Sequence, residues 1–312
     1  MYALEVRHLT KSFGGVIAVD DAAFSIPEGS IFGLIGRNGA GKTTTIRMMM
    51  NIYLPDAGEI ILRGAKIGQG FRDNSGYLPE ERGLYKKMKV IDLLMFYAEI
   101  KGKTGGRVKK KAAEYLERFS LGDRKDSKIE DLSKGNQQKV QFIATILHDP
   151  EFIILDEPFA GLDPVNTNIL KEIILQLKRS GKVIIFSTHL MDFAENMCDH
   201  IAMIDKGKII LNDSLAELKE RFGQRNISLK YEGDISFLKD HPIVDTITDF
   251  GHATGIKVKS PTQTQELLKL LVEKGIVVRN FDTNEISLQD IFIAHAGVEN
   301  DGVAEEEAIY VQ

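Results

Sequence analysis

Ser30-Ile31-Phe32-Gly33-Leu34-Ile35-Gly36-Arg37-Asn38-Gly39-Ala40-Gly41-Lys42-Thr43-Thr44 is the stretch on which the reading of this chain turns. An apolar run feeds a glycine-rich loop, and Thr44 to Met50 can open a helix. Strand, loop and helix are the context in which G-x-x-x-x-G-K-[ST] cradles phosphate. Glycines let successive backbone N–H groups turn toward one anion, and the helix adds the positive end of its dipole. In that geometry Lys42 reaches the terminal phosphates and the Thr43 hydroxyl meets Mg²⁺. The alternative is a glycine-rich turn with a surface lysine.

A length of 312 residues suggests two domains, and 43% hydrophobic with 27% charged residues fits a globular protein with a sizeable core. The net charge of -5 argues against a broad nucleic-acid surface. One cysteine, Cys198, excludes an intramolecular disulfide framework. Met1 to His8 alternates like a strand without a signal-peptide pattern, and no apolar run approaches the ~18 residues of a membrane span.

Before the loop the pattern is strand-like: Ala3 to Arg7, a turn over Lys11 to Gly15, then Val16 to Val19 and Ala22 to Ile26. Phe13 is either core or an aromatic that stacks on a purine. Gly58 to Leu62 reads as a strand, and Ser75 to Gly83 reads as punctuation. Val90 to Ile100 and Arg107 to Phe119 carry helical periodicity in a section rich in lysine. That section is either a solvated face or a surface that docks near anionic lipid headgroups. A helix follows Leu132-Ser133-Lys134-Gly135-Asn136. Phe152 to Leu155 and Val183 to Phe186 are strands buried on both faces, ending in Asp156-Glu157-Pro158 and Ser187-Thr188-His189. Pro164 to Arg179 is a helix capped by Asp163. Lys206-Gly207 signals a hairpin, and Ser214 to Phe222 a closing helix. From Arg225 the order β-α-β-β-α-β, with a short helix over Ile235 to Lys239, indicates a ferredoxin-like sandwich. Leu288 to Ala296 adds a helix, and the acidic 299–312 is expected to be disordered.

In a parallel sheet the two polar strand ends gather beside the phosphate loop. Asp156 can hold Mg²⁺ through water, Glu157 can polarise a water toward the γ-phosphate, and His189 can donate to that phosphate.

At these residues the chain resembles the ATP-binding subunit of ABC transporters, over about Met1 to Phe222. Gly36 to Thr43 is similar to the family's Walker A loop, and Ile153 to Glu157 to Walker B with the catalytic glutamate. Leu132 to Asn136 resembles the signature sequence, Gly161-Leu162-Asp163 the D-loop, and His189 the switch histidine. The resemblance makes Phe13 the aromatic that stacks on adenine. It implies an α/β P-loop ATPase core with an antiparallel β subdomain and a helical subdomain (about 84–150), together 1–224. An accessory α+β domain follows at 225–298, similar to one carried by sodium and drug exporters.

The family mechanism implies a head-to-tail dimer closed around two ATP molecules. Ser133 and Gly135, with Asn136 and Asp163 nearby, would meet the nucleotide held by Gly36, Arg37, Asn38, Gly39, Ala40, Gly41, Lys42, Thr43 and Thr44 of the other copy. A multi-span permease at the cytoplasmic face of the membrane would be the second partner, contacted by the basic helical section. Lys134 and Asn136 depart from the usual Gly and Gln, and Glu80 stands where the family has glutamine near Mg²⁺. Glu80 is therefore either a third metal ligand or part of a loop ion pair with Arg82. A soluble ABC ATPase without a permease is the alternative function, and a regulatory or dimerising C-terminal domain is compatible with either.

Overall fold

The computed structural model describes residues 2–81, 83–223, 226–249, 251, 253–283 and 287–295. The tail at 299–312 and Arg82, both named above, lie outside the described residues. The chain divides into two units, Met1–Leu215 and Ala216–Gln312.

The first unit opens with two long strands, β1 (Tyr2–Phe13) and β2 (Val16–Pro27), then β3 (Ile31–Ile35) and α1 (Lys42–Met49). β4 (Ala57–Leu62), β5 (Ala65–Lys66), α2 (Gln69–Asp73) and β6 (Ser75–Leu78) follow. Three helices come next: α3 (Val90–Ile100), α4 (Gly106–Arg118) and α5 (Lys134–Leu147). The unit closes with β7 (Phe152–Asp156), α6 (Pro164–Arg179), β8 (Val183–Thr188), α7 (Met191–Met197), β9 (His200–Asp205) and β10 (Lys208–Ser214).

Two sheets result. The larger has the order β10-β9-β3-β8-β7-β6, parallel from β9 through β6, with β10 antiparallel on β9. The smaller is the antiparallel sheet β2-β1-β4-β5. Every residue of β3, β7 and β8 is buried, as continuous apolar runs require of central strands. Leu4, Val6, Phe24 and Ile60 of the smaller sheet share one core with Phe32, Ile154 and Ile185 of the larger and with Ile46, Met48 and Met49 of α1. Helices α3, α4 and α5 pack as a helical layer in which the Phe119 and Phe142 rings meet edge to face at 6.1 Å. No helix among the described residues is long and apolar enough to cross a membrane.

Several elements differ from the sequence reading. Lys11 to Phe13 continues β1, and only Gly14 and Gly15 turn. Ser75 to Leu78 is an edge strand of the parallel sheet rather than punctuation, and α7 had no sequence counterpart. At Lys206-Gly207 both residues have positive φ (46° and 84°), the geometry that a two-residue hairpin of this twist demands.

The second unit holds β11 (Asn226–Glu232), β12 (Val244–Asp249), β13 (Thr254–Val258), α9 (Thr264–Glu273), β14 (Val277–Asp282) and α10 (Leu288–His295), after α8 (Leu215–Gly223). Its sheet is antiparallel, ordered β12-β13-β11-β14. Leu267 and Leu271 of α9 bury against Ile227, Leu229, Ile256 and Val258. The expected helix over Ile235 to Lys239 is a 3₁₀ turn, Ser236–Leu238. Asp234 accepts from the Ser236 N–H at 2.8 Å and ties the chain into a local turn, which competes with helix propagation.

At the end of α5 the buried His148 ring donates from Nε2 to the Ser75 carbonyl at 3.2 Å. Burial pushes this imidazole down from 6.5 to about 4, and the Lys101 ammonium adds to it. A depressed folded value favours the neutral ring, so its stabilisation is complete above pH 6.5 and is lost as pH falls toward 4. Wild type should lose on the order of 3 kcal/mol from this ring between pH 7 and pH 4. Denaturant melts of His148→Gln over the same interval should show a correspondingly shallower loss; identical losses would contradict the assignment.

Candidate functional site

The phosphate loop is pressed against backbone on two sides. A Cβ at Gly36 would lie 2.2 Å from the Ile204 carbonyl oxygen, and one at Gly41 (φ 111°) 2.5 Å from that of Ala18. No side chain fits either place. Hydrogen bonds hold the loop there: Gly36 N–H to the Thr188 carbonyl at 3.3 Å, and Gly207 N–H to the Ala40 carbonyl at 2.9 Å. Arg37, Asn38 and Gly39 form an exposed rim, while Thr43 and Thr44 are half-buried at the start of α1.

Lys42 is only 6% exposed. Its Nζ donates to the Gly36 carbonyl at 2.8 Å and to that of Arg37 at 3.2 Å, and stands 3.4 Å from Glu157 Oε1. Buried charges persist only when paired in this way. Thr43 Oγ1 donates to Asp156 Oδ1 at 3.2 Å, and Ser187 Oγ donates to the same oxygen. Ser187 Oγ also accepts the Glu157 N–H at 3.1 Å. Glu157 sits at φ 49°, a left-handed conformation that costs a non-glycine residue of order 1 kcal/mol or more. Its Oε2 is 3.0 Å from His189 Nδ1. Lys42, Thr43, Asp156, Glu157 and His189 are thereby gathered at the C-terminal edge of β7 and β8.

Two carboxylate oxygens here, Asp156 Oδ2 and Glu157 Oε1, are buried without a hydrogen-bond partner. Burial raises the Asp156 carboxyl above its usual range, against the bonds from Ser187 and Thr43. An unpaired buried carboxylate oxygen beside a hydroxyl fits a hard cation, and Thr43 and Asp156 carry oxygens of the kind Mg²⁺ takes. Glu80 is exposed two residues beyond Leu78, whose register partner is Leu155. It thus reaches the same sheet edge, yet no three His, Cys, Asp or Glu side chains gather into a metal cluster among the described residues.

Ser133 caps α5, accepting from the Asn136 N–H at 3.3 Å, and Lys134 is exposed. A Cβ at Gly135 would meet the Gly161 carbonyl oxygen at 3.5 Å, so this helix start adjoins the turn before α6. There Asp163 accepts from the Asn166 N–H at 3.0 Å as cap of α6. Phe13 is 44% exposed and meets Tyr53 edge to face at 5.3 Å. Ser187 was the residue sequence reasoning passed over. A serine at a buried strand end carries no signal until its partners 31 and 30 residues away are known.

A family described as "ABC transporter" matches residues 19–160. The ABC transporter ATP-binding protein YhaQ of Bacillus subtilis (strain 168) is 42% identical over 94% of this chain and 98% of its own length. The chain belongs to the family of ABC transporter ATP-binding proteins. Residues 214–296 of this ATP-binding subunit match a second family, "ATP-binding protein DrrA1-3-like, C-terminal domain". Nod factor export ATP-binding protein I of Cupriavidus metallidurans is 30% identical over 95% of the subunit and 98% of its own length. A solved structure, "Structure of ATP binding subunit of ABC transporter", superposes with a TM-score of 0.66 at 31% identity, covering 71% of this chain and 93% of that one.

Ser187 holds Asp156 and Glu157 at once. Ser187→Ala would leave the Glu157 N–H and one Asp156 bond unsatisfied, costing about 1–3 kcal/mol of stability. ATP turnover should fall while KM changes little, because the variant disturbs the carboxylates and leaves the phosphate loop intact. A rise in KM at unchanged kcat would contradict this placement.

Proposed function

We propose that this ATPase subunit works as a head-to-tail dimer that closes around two ATP molecules and drives a separate multi-span permease, as an exporter at the cytoplasmic face of the membrane. The observation that carries the catalytic reading is the buried pair Asp156-Glu157 beside Lys42 and His189. In this reading loop N–H groups and Lys42 hold the β- and γ-phosphates, and Phe13 stacks on adenine. Glu157 orients and deprotonates the attacking water, and His189 holds the γ-phosphate. Mg²⁺, when bound, neutralises phosphate charge, with Thr43, Asp156 and Glu80 as its protein-side oxygens.

The start of α5 supports this dimer reading. At Ser133 and Gly135 it carries no acidic residue in the first turn, and Ser133 is exposed. A helix N-terminus of this kind, exposed and without acidic residues, suits a phosphate held by the other copy. Asn136 and Asp163 flank it.

For the permease, a largely apolar groove of about 420 Å³ is lined in part by Leu84, Tyr97, Ile100 and Gln141. Exposed Tyr85 and Phe96 stand beside Tyr97, with ring centroids 5.6 to 6.3 Å apart. Apolar surface of this kind fits a helix of another polypeptide. Export is supported by the DrrA-like C-terminal match and by the relative named for Nod factor export. We read the second unit as a ferredoxin-like sandwich with a 3₁₀ turn in place of its first helix, a reading that its antiparallel sheet order supports.

Glu157→Gln should bind ATP yet lose turnover about a hundredfold or more and accumulate an ATP-bound dimer on size exclusion. Unchanged steady-state hydrolysis would rule Glu157 out as the base. For Glu80 the test is a Mg²⁺ titration of ATPase rate at saturating ATP. As a ligand, Glu80→Gln should need more free Mg²⁺ for half-maximal rate and Glu80→Ala should lose most turnover. Superimposable curves for wild type and both variants would remove Glu80 from the metal.

A further inference from the structure

The end of β1 that carries Phe13 is fastened by one carboxylate. Asp56, just before β4, accepts from Lys11 Nζ at 2.7 Å, from the Ser12 N–H at 2.7 Å and from Ser12 Oγ at 2.9 Å. Its own N–H donates to the Thr10 carbonyl at 2.9 Å. Thr10, Lys11 and Ser12 are thus all tied to Asp56, immediately before the aromatic. Lys11, placed by that carboxylate, lies over the Phe13 ring with Nζ 5.4 Å from its centroid. Tyr53 abuts the ring at an interplanar angle of 67°. Tyr53 is itself anchored, its hydroxyl accepting from Arg47 of α1 at 3.1 Å.

Phe13 also opens a turn of two glycines, Gly14 and Gly15, both at positive φ with open space around them. Nothing in the turn would fix the ring, so its orientation depends on the residues before it. A partly exposed carboxylate ordinarily spends its lone pairs on water. Here three protein donors from one strand end converge on it. The Lys11 bond, followed by the two from Ser12, holds the Asp56 carboxyl down at about 2. A lowered folded value means that the interaction is complete above the ordinary 3.8 and is lost only as pH falls through about 2. The clamp therefore stays ionised across the neutral range.

We propose that Asp56 is a positioning residue for the nucleotide base: by holding Lys11 and Ser12 it presents a half-exposed Phe13 ring, with the Lys11 ammonium over it and Tyr53 in T-shaped contact, to a purine. The proposal rests on the reading of Phe13 as the adenine-stacking aromatic. Pre-ordering a ring spares its immobilisation when the base arrives, so the effect falls on affinity rather than on the chemical step. The fastening is specific to the base end of the site, because none of its hydrogen bonds reaches the phosphate loop.

The test is affinity for MgATP and for inorganic tripolyphosphate, which has phosphates but no base, with kcat and KM for ATP hydrolysis. Wild type, Phe13→Ala, Asp56→Ala, Asp56→Asn and the Phe13→Ala/Asp56→Ala double variant are compared. Phe13→Ala should weaken MgATP about tenfold. Asp56→Ala should weaken it about three- to tenfold, and Asp56→Asn, which keeps an acceptor oxygen, by less. Neither Asp56 change should alter tripolyphosphate binding or kcat, and Asp56→Ala should add nothing once Phe13 is gone. If Phe13→Ala weakens ATP but Asp56→Ala matches wild type, the positioning role is overturned while base stacking stands. Equal weakening of ATP and tripolyphosphate by Asp56→Ala also overturns it. Unchanged ATP affinity in Phe13→Ala overturns the stacking reading and the proposal with it.

Discussion

Backbone against backbone at Gly36 and Gly41 is the constraint on which the site depends. The phosphate loop can face an anion only because it lies where a Cβ would strike the carbonyls of Ile204 and Ala18. One contact comes from the parallel sheet and the other from the antiparallel sheet, so the loop is the seam between them. The β9–β10 hairpin closes that seam: Gly207 donates to the Ala40 carbonyl and accepts from the Asp20 N–H, both at 2.9 Å. With the loop so fixed, Lys42 lies against the Gly36 and Arg37 carbonyls and Glu157.

The acidic pair is costly in the same sense. Asp156 and Glu157 are buried, each with an unsatisfied oxygen, and Glu157 takes a left-handed backbone conformation. A sheet built for stability alone would not hold two adjacent buried carboxylates at the end of a central strand. The arrangement makes sense if a cation meets Asp156 Oδ2 and a donor such as water meets Glu157 Oε1. Ser187, bonded to both residues, is what keeps the arrangement from relaxing.

Local patterns carried much of this in the sequence. The glycine spacing around Lys42, the wholly apolar runs before Asp156 and Ser187, and the cap at Asp163 are each short-range signals, and the structure shows the elements they mark. What escaped were features defined by distant partners. The strand Ser75–Leu78 is four residues long and becomes a strand only by pairing with β7. Lys11 and Ser12 look like turn residues until Asp56, 45 and 44 positions later, accepts their hydrogens. In the second unit the short helix expected over Ile235 to Lys239 is a 3₁₀ turn, where Asp234 holds the Ser236 N–H in a local turn.

In the proposed head-to-tail dimer each ATP site is built from two copies of the chain. Lys42 and Ser133 then serve the same nucleotide from different subunits, and a mixed dimer can recombine intact halves. The direct measurement is ATP hydrolysis by Lys42→Ala and Ser133→Ala proteins, each alone and then mixed in equal amounts. Each alone should be nearly inactive. The mixture should regain a substantial fraction of wild-type activity, because one of its two composite sites carries both Lys42 and Ser133. A mixture as inactive as its components, although mixed dimers form, would contradict the shared site.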